Sequence, residues 1–225
     1  MKYIIAGLGS FGASLAERLT IQGNEVIGID NRMNKVDALK EKISHTICMD
    51  ATDEYTVAGL PLRDTDVVII AIGENQGANV MATAIFKNLN VKRLIGRALN
   101  PVHEKVLMAI GLDDIIHPEE ETAERWAKKL SLKGLVESFD IGDDYSIVEV
   151  VLPVEFENKT IEETNLESRY NVMILTCIRA ENDASKIKGS SKVQGVAHGK
   201  MILQKGDILV MYGANKDLKK FAGKQ

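Results

Sequence analysis

Apolar and polar positions follow two different rhythms along the chain. Up to about residue 117, short apolar runs of strand length alternate with stretches whose apolar residues recur at helical spacing. KYIIA (2–6) predicts a strand, and a helix follows Gly9 to about Gln22, ended by Gly23-Asn24. EVIGID predicts the second strand, MNKVDALKEKI an amphipathic helix and HTICM a third, short strand. DVVIIAI is an unbroken apolar run after its leading aspartate, fit for a central parallel strand buried on both faces. Residues 78–89 predict a helix, KRLIGRA a strand, 101–110 a helix, and DDIIHP closes the series. This βαβ alternation predicts an α/β fold with a Rossmann-like, doubly wound parallel sheet.

The rhythm then changes. Residues 119–134 predict one long amphipathic helix, ended by Gly134. Ala123, Trp126, Ala127 and Leu130 form its apolar stripe, which could pack within its own domain or against a second subunit. Beyond it, VESFDI, YSIVEVVL, NVMILTCIR and DILVMYG predict strands, with short helices at 161–163 and 215–221. These make a small α+β unit. Residues 182–199, rich in Ser, Gly and Lys, predict a loop or hairpin. The organisation is therefore an N-terminal domain over 1–118, a crossover helix over 119–134 and a C-terminal domain over 135–225.

Composition narrows the class. A length of 225 residues suits two modest domains, and 45% hydrophobic residues suffice for packed cores. The net charge of −4 and the lack of a basic tract argue against nucleic acid as a partner. Cys48 and Cys177, the two cysteines, lie in strand-like runs and read as buried thiols in a reducing compartment. No apolar stretch approaches the roughly 18 residues of a membrane span, and the start lacks a signal-peptide layout. The expectation is a cytoplasmic protein whose membrane association comes through a partner.

The candidate chemistry begins where the first strand meets its helix. Gly7, Gly9 and Gly12 are spaced G-x-G-x-x-G, with Ser10 and Phe11 between the last two. In this context Gly7 allows a tight turn, Gly9 lets backbone N–H groups approach phosphate, and Gly12 lets helix and strand pack closely. Asp30 ends the second strand, 18 residues beyond Gly12, and is followed by Asn31. A carboxylate there can accept both ribose hydroxyls and would repel a 2′-phosphate, which disfavours NADP. The competing reading is three turn glycines and a surface acid.

Further candidates stand at the ends of later strands, where ligands bind in open α/β sheets. Asp50, Ala51 and Thr52 follow the third strand, where they could frame an adenine or cap a short helical turn. Ala71, Ile72 and Gly73 end the fourth strand, with Asn75 beyond, and Arg97 ends the fifth, where it could meet phosphate. No catalytic set accompanies them. His45, His103, His117 and His198 lack partners at a catalytic spacing, and no P-loop, G-x-S-x-G, H-E-x-x-H or CxxC motif occurs. Three acids follow Pro118. They read as compensation of a helix dipole or as a divalent-cation site beside the phosphates.

GLGSFGASLAERL, EVIGIDN, CMDATDE, VVIIAIGEN, IIHPE and DDYSIVEV, with the C-terminal IEETNLESRYNVMIL and KGDILVMYG, carry a resemblance over nearly the whole chain. Together they resemble the regulatory subunits of Trk/Ktr-type potassium uptake systems, built from an RCK (regulator of potassium conductance) N-domain and C-domain. The resemblance implies an N-domain that binds ATP, ADP, NAD or NADH as a signal. It implies contacts at Gly7, Gly9, Gly12, Asp30, Asp50 and Arg97, and a divalent cation, Mg or Ca, at Glu119. It implies homodimers that assemble into a ring, often an octamer, beneath a membrane-embedded potassium-translocating subunit. The C-domain of related proteins can bind a second ligand, cyclic di-AMP in some.

Two departures qualify what the resemblance implies. Ser10 stands where ATP-responsive relatives often carry arginine, which favours NAD or ADP over an ATP-selective response. The segment around 190–201 is longer than relatives usually show, which weakens the case for a C-domain ligand. The expectation is a non-enzymatic, nucleotide-sensing gating subunit. The alternatives are an NAD-dependent oxidoreductase and a regulator of a different cation transporter.

Overall fold

In the computed structural model, which describes residues 1–131, 134–180 and 191–222, the run Lys2–Ala6 forms strand β1 and is followed by helix α1 (Ser10–Ile21). The series continues through β2 (Glu25–Asp30), α2 (Met33–Leu39), β3 (His45–Cys48), α3 (Glu54–Ala58), β4 (Val67–Ile70) and α4 (Gln76–Asn88). It closes with β5 (Leu94–Arg97), α5 (Pro101–Ala109), β6 (Asp114–Ile116) and α6 (Pro118–Ser131). The first six strands are parallel, in the order β3-β2-β1-β4-β5-β6. That is the doubly wound arrangement, with a crevice over β1 and β4 where the winding reverses.

Strand alternation divides the core between the two faces of this sheet. Ile4 and Ala6 of β1, with Val68 and Ile70 of β4, pack with Phe86 and Leu107 on one side. Ile5, Val67 and Ile69 pack with Leu8, Val26 and Leu39 on the other. Each such fully buried Val, Ile or Leu contributes about 1.5–3 kcal/mol, so β4, buried at every position, anchors the sheet. The edge strand β3 has only one neighbour. Cys48, read from its apolar run as buried, is exposed there, while Cys177 is buried; both thiols are free.

The first compact unit spans Met1–Glu121 and the second Thr122–Gln225, a division that falls inside α6. The second unit is an antiparallel sheet in the order β10-β9-β11-β8-β7, formed by β7 (Leu135–Ile141), β8 (Tyr145–Val151), β9 (Val172–Ala180), β10 (Ser191–Val193) and β11 (Ile208–Ala214). Helices α7 (Ile161–Thr164), α8 (Leu166–Tyr170) and α9 (Asn215–Ala222) accompany it. Its core gathers Leu166, Leu203, Leu209, Met211 and Phe221. The Arg179 guanidinium donates to buried Asp207 from Nε at 2.8 Å and Nη2 at 2.7 Å. The expected loop at 182–199 lies outside the described residues up to 190; beyond that, Ser191–Val193 pairs with β9. Among the described residues no helix is long and apolar enough to cross a membrane.

The three fingerprint glycines serve different ends. Gly7 has φ +101°, and a Cβ there would lie 2.8 Å from the Ile72 nitrogen. A Cβ on Gly12 would fall far inside contact distance of the Gly7 carbonyl oxygen. At Gly9 the same Cβ would meet only the Lys35 ammonium, at 3.8 Å. Gly12→Ala should therefore lower stability by about 1–3 kcal/mol or more, whereas Gly9→Ala should leave the urea unfolding midpoint near that of the native protein. Equal midpoints for the native protein and Gly12→Ala would show that α1 can move off β1 freely.

Candidate functional site

The carboxyl ends of β1, β2, β4 and β5 surround a cleft of about 610 Å³ within the first unit. Gly9 precedes α1 without a side-chain cap, and the first turn of α1 holds no acid. The first N–H groups of that helix are thus left for an anion, in a position where the helix dipole also favours one.

Asp30 is the buried acid of the cleft. Its Oδ2 accepts the Leu8 N–H at 2.8 Å and its Oδ1 the Arg32 N–H at 3.0 Å. The Arg32 Nε lies 3.7 Å and the Lys35 Nζ 3.9 Å from this carboxylate. The same two cations meet Glu74, at 2.7 Å from Arg32 Nη2 and 3.2 Å from Lys35 Nζ. Hydrogen bonds from Arg32 and then Lys35 hold the Glu74 carboxyl down at about 2. Asp50 accepts both the N–H and the hydroxyl of Thr52, at 2.9 and 2.7 Å, which keeps its carboxyl below the usual range.

At the other end, Arg97 pairs with Glu119. Its Nη1 donates to the Ala71 carbonyl at 3.3 Å, and its guanidinium carbon lies 5.7 Å from the centre of the Phe11 ring. The Nε is buried with no hydrogen-bond partner among the described residues. Gly73 makes room for this side chain, because a Cβ there would lie within 3.0 Å of three guanidinium atoms. Buried Asn79 holds the two strand ends together, donating to the carbonyls of Ile72 at 2.8 Å and Arg97 at 3.2 Å.

Gly7, Gly9, Ser10, Phe11, Asp30, Asn31, Asp50, Ala51, Thr52, Ala71, Ile72, Gly73, Asn75, Arg97 and Glu119 all line this cleft. Gly12 does not; it packs beneath, against Gly7. Asn75 lines the cleft while its Oδ1 caps α4 by accepting the Ala78 N–H at 3.0 Å. The capping weighed for Asp50 and Thr52 falls to Asp53, whose side chain accepts the Tyr55 N–H at the start of α3. Arg32, Lys35 and Glu74 are additional lining residues, recognisable only as a charged stretch after β2 and an acid after β4.

The histidines supply no reactive set. His103 is buried, its Nδ1 accepts the Leu99 N–H at 3.3 Å, and burial lowers its pKa. His117 Nε2 lies 3.5 Å from Glu104. Among the described residues no group of three His, Cys, Asp or Glu side chains could hold a metal ion. With Glu119 committed to Arg97, the side chains present do not make a cation site by themselves.

A doubly wound sheet with a glycine loop, a buried acid ending β2 and an arginine ending β5 defines a nucleotide-binding type of domain. The TrkA-N domain family model matches residues 3–118, and the chain belongs to that family. It is 32% identical over 220 residues to the Ktr system potassium uptake protein A of Bacillus subtilis (strain 168), covering 98% of this chain and 95% of that protein. The GsuK RCK domain has the same fold, with a TM-score of 0.65 at 18% identity over 99% of this chain and 47% of that one. A GsuK channel bound to NAD is similar at a TM-score of 0.62 and 18% identity, over 96% of this chain and 38% of that one. The chain thus spans about half or less of the length of those two chains.

Asp30 ties two loops together and also lines the cleft, so its removal is to be read in two measurements. Asp30→Ala leaves the Leu8 and Arg32 N–H groups without their acceptor and should destabilise the domain by about 1–3 kcal/mol in denaturant titration. It should also weaken ADP or NAD binding by about 1.5–3 kcal/mol in calorimetry. Loss of stability with unchanged affinity would make Asp30 a purely structural acid.

Proposed function

We propose that this protein is a nucleotide-sensing gating subunit of a potassium transport system, held at the inner face of the cell membrane by a membrane-embedded potassium-translocating partner. The observation that carries the reading is one cleft that gathers a glycine loop, Asp30 and Arg97. It occurs in a chain that aligns end to end with a potassium uptake protein. The glycine-loop N–H groups and Arg97 would take the phosphates, and Asp30 the ribose. NAD or ADP fits better than an ATP-selective response, because Ser10 brings no charge to a terminal phosphate.

The nucleotide acts as a signal. A ligand that binds one conformation better than another shifts the population by its differential affinity and no more; about 1.4 kcal/mol gives a tenfold shift. Calorimetric titration with ADP, ATP, NAD and NADH tests this reading. Saturable binding of NAD or ADP without turnover supports it; no binding of any of them, or a change in nicotinamide absorbance with a substrate, overturns it. Gly9→Ala should weaken that binding, since its Cβ would stand between the loop amides and the phosphates.

Glu119 occupies the arginine that a phosphate would need. Glu119→Gln should therefore tighten ADP binding by about 0.5–1 kcal/mol in the presence of EDTA, a modest gain because Glu119 is largely exposed. Unchanged or weaker binding would place the phosphates away from Arg97. A divalent cation at Glu119 would need further donors from the nucleotide's phosphates or from a second subunit.

The stripe on α6 is the proposed contact with a second copy of the chain. No residue of α6 is buried; Trp126 is 50% exposed and Leu130 79%. Covering this stripe would stabilise a homodimer, the unit from which a larger ring, such as an octamer, would be built. Trp126→Ala should weaken self-association by about 2–4 kcal/mol in sedimentation experiments while nucleotide binding per subunit persists. Unaltered assembly would remove α6 from the interface.

A further inference from the structure

Two opposite indications of ribose specificity stand side by side in this cleft. An acid at the end of β2 suits a ribose with free hydroxyls, and a nearby arginine suits one with a 2′-phosphate. The chain has both: Asp30 ends β2, Arg32 stands two residues on, and Lys35 lies in the first turn of α2. Both cations face the Asp30 carboxylate at less than 4 Å. An anion attached to a ribose held by Asp30 would lie within reach of Arg32 and Lys35.

The structure already places an anion there. Glu74 comes from the loop after β4, on the far side of β1, and its two oxygens are divided between the cations: Oε2 to Arg32 Nη2 at 2.7 Å, Oε1 to Lys35 Nζ at 3.2 Å. Asp30, Arg32, Lys35 and Glu74 form a closed cluster of two acids and two bases. We infer that Glu74 is the specificity-determining residue that sets this cleft against a 2′-phosphorylated ribose, by filling the anion position between Arg32 and Lys35. Without Glu74, Asp30 alone would face two cations and the position would be open to a phosphate. With it, a 2′-phosphate must expel a bound carboxylate and meets like charge on both sides.

The charge state of Glu74 agrees with this role. Its carboxyl stays ionised far below neutral pH because of the same two partners. Its side chain is 69% exposed, so its removal leaves no buried hole. The inference rests on the proposal that the cleft takes an adenine nucleotide with its ribose at Asp30.

Calorimetric titration of the native full chain, Glu74→Ala, Glu74→Gln and the double variant Glu74→Ala/Arg32→Ala with NAD, NADP and ADP tests it. The native protein should prefer NAD over NADP by at least about tenfold. Both single variants should cut that preference at least about tenfold, with a gain that fades as salt is raised. The double variant should restore much of the preference. An unchanged NAD-to-NADP ratio in both single variants, with NAD still bound, overturns the inference and leaves the nucleotide reading intact. Equal tightening of NAD, NADP and ADP would place Glu74 against the diphosphate and overturns the ribose assignment. Failure of the native protein to bind NAD or ADP overturns the nucleotide reading and this inference with it.

Discussion

Two backbone N–H groups from different loops end on one buried carboxylate, and the geometry of the cleft follows from that. Burying Asp30 would be costly without partners; the Leu8 and Arg32 N–H groups supply them directly. The Leu8 bond fixes the glycine loop against β2. The Arg32 bond fixes the loop that leads into α2, and so brings Lys35 back to within 3.8 Å of a Cβ position on Gly9. The same acid that could recognise a ribose therefore shapes the floor beneath it.

The second organising feature is the pairing of charge inside the cleft. Arg32, Lys35 and Arg97 are its three cations, and each already faces an internal carboxylate, Glu74 or Glu119. An incoming anion does not meet bare positive charge; it exchanges with an acid already in place. The Coulomb gain of binding is then a difference between two anions, and geometry decides which of them wins. The displaced acids sit on different elements, one on the loop after β4 and one on α6, so each exchange changes the surroundings of a different segment.

The fold of the first unit and the glycine side of the cleft were legible because their signals are local. Gly7, Gly9, Gly12 and Asp30 fall within one strand–turn–helix–strand stretch, and the apolar run in DVVIIAI fits a strand buried on both faces. The ion pairs were not legible. Glu74 reaches Arg32 and Lys35, and Glu119 reaches Arg97, only because the sheet order brings distant loop ends together. Capping, weighed for Asp50 and Thr52, falls to Asp53, because Asp53 is the residue that immediately precedes α3. Cys48 looked buried because an apolar run does not say whether its strand lies at an edge. Gly12 was read from the fingerprint as a packing glycine, which its place under Gly7 matches, and only the resemblance implied a contact there.

The contrast between the two cysteines makes the cleft observable. The thiolate is the form that reacts with alkylating reagents. Cys177 is buried, and desolvation, with Asp207 beside it, pushes its thiol up to about 12. Cys48 is exposed at the end of β3, one residue from Met49 and two from Asp50 in the cleft wall. A maleimide dye at neutral pH would label the native chain at Cys48 in preference to Cys177, with no engineered substitution. The protein thus carries its own attachment point for a fluorescent reporter beside the cleft.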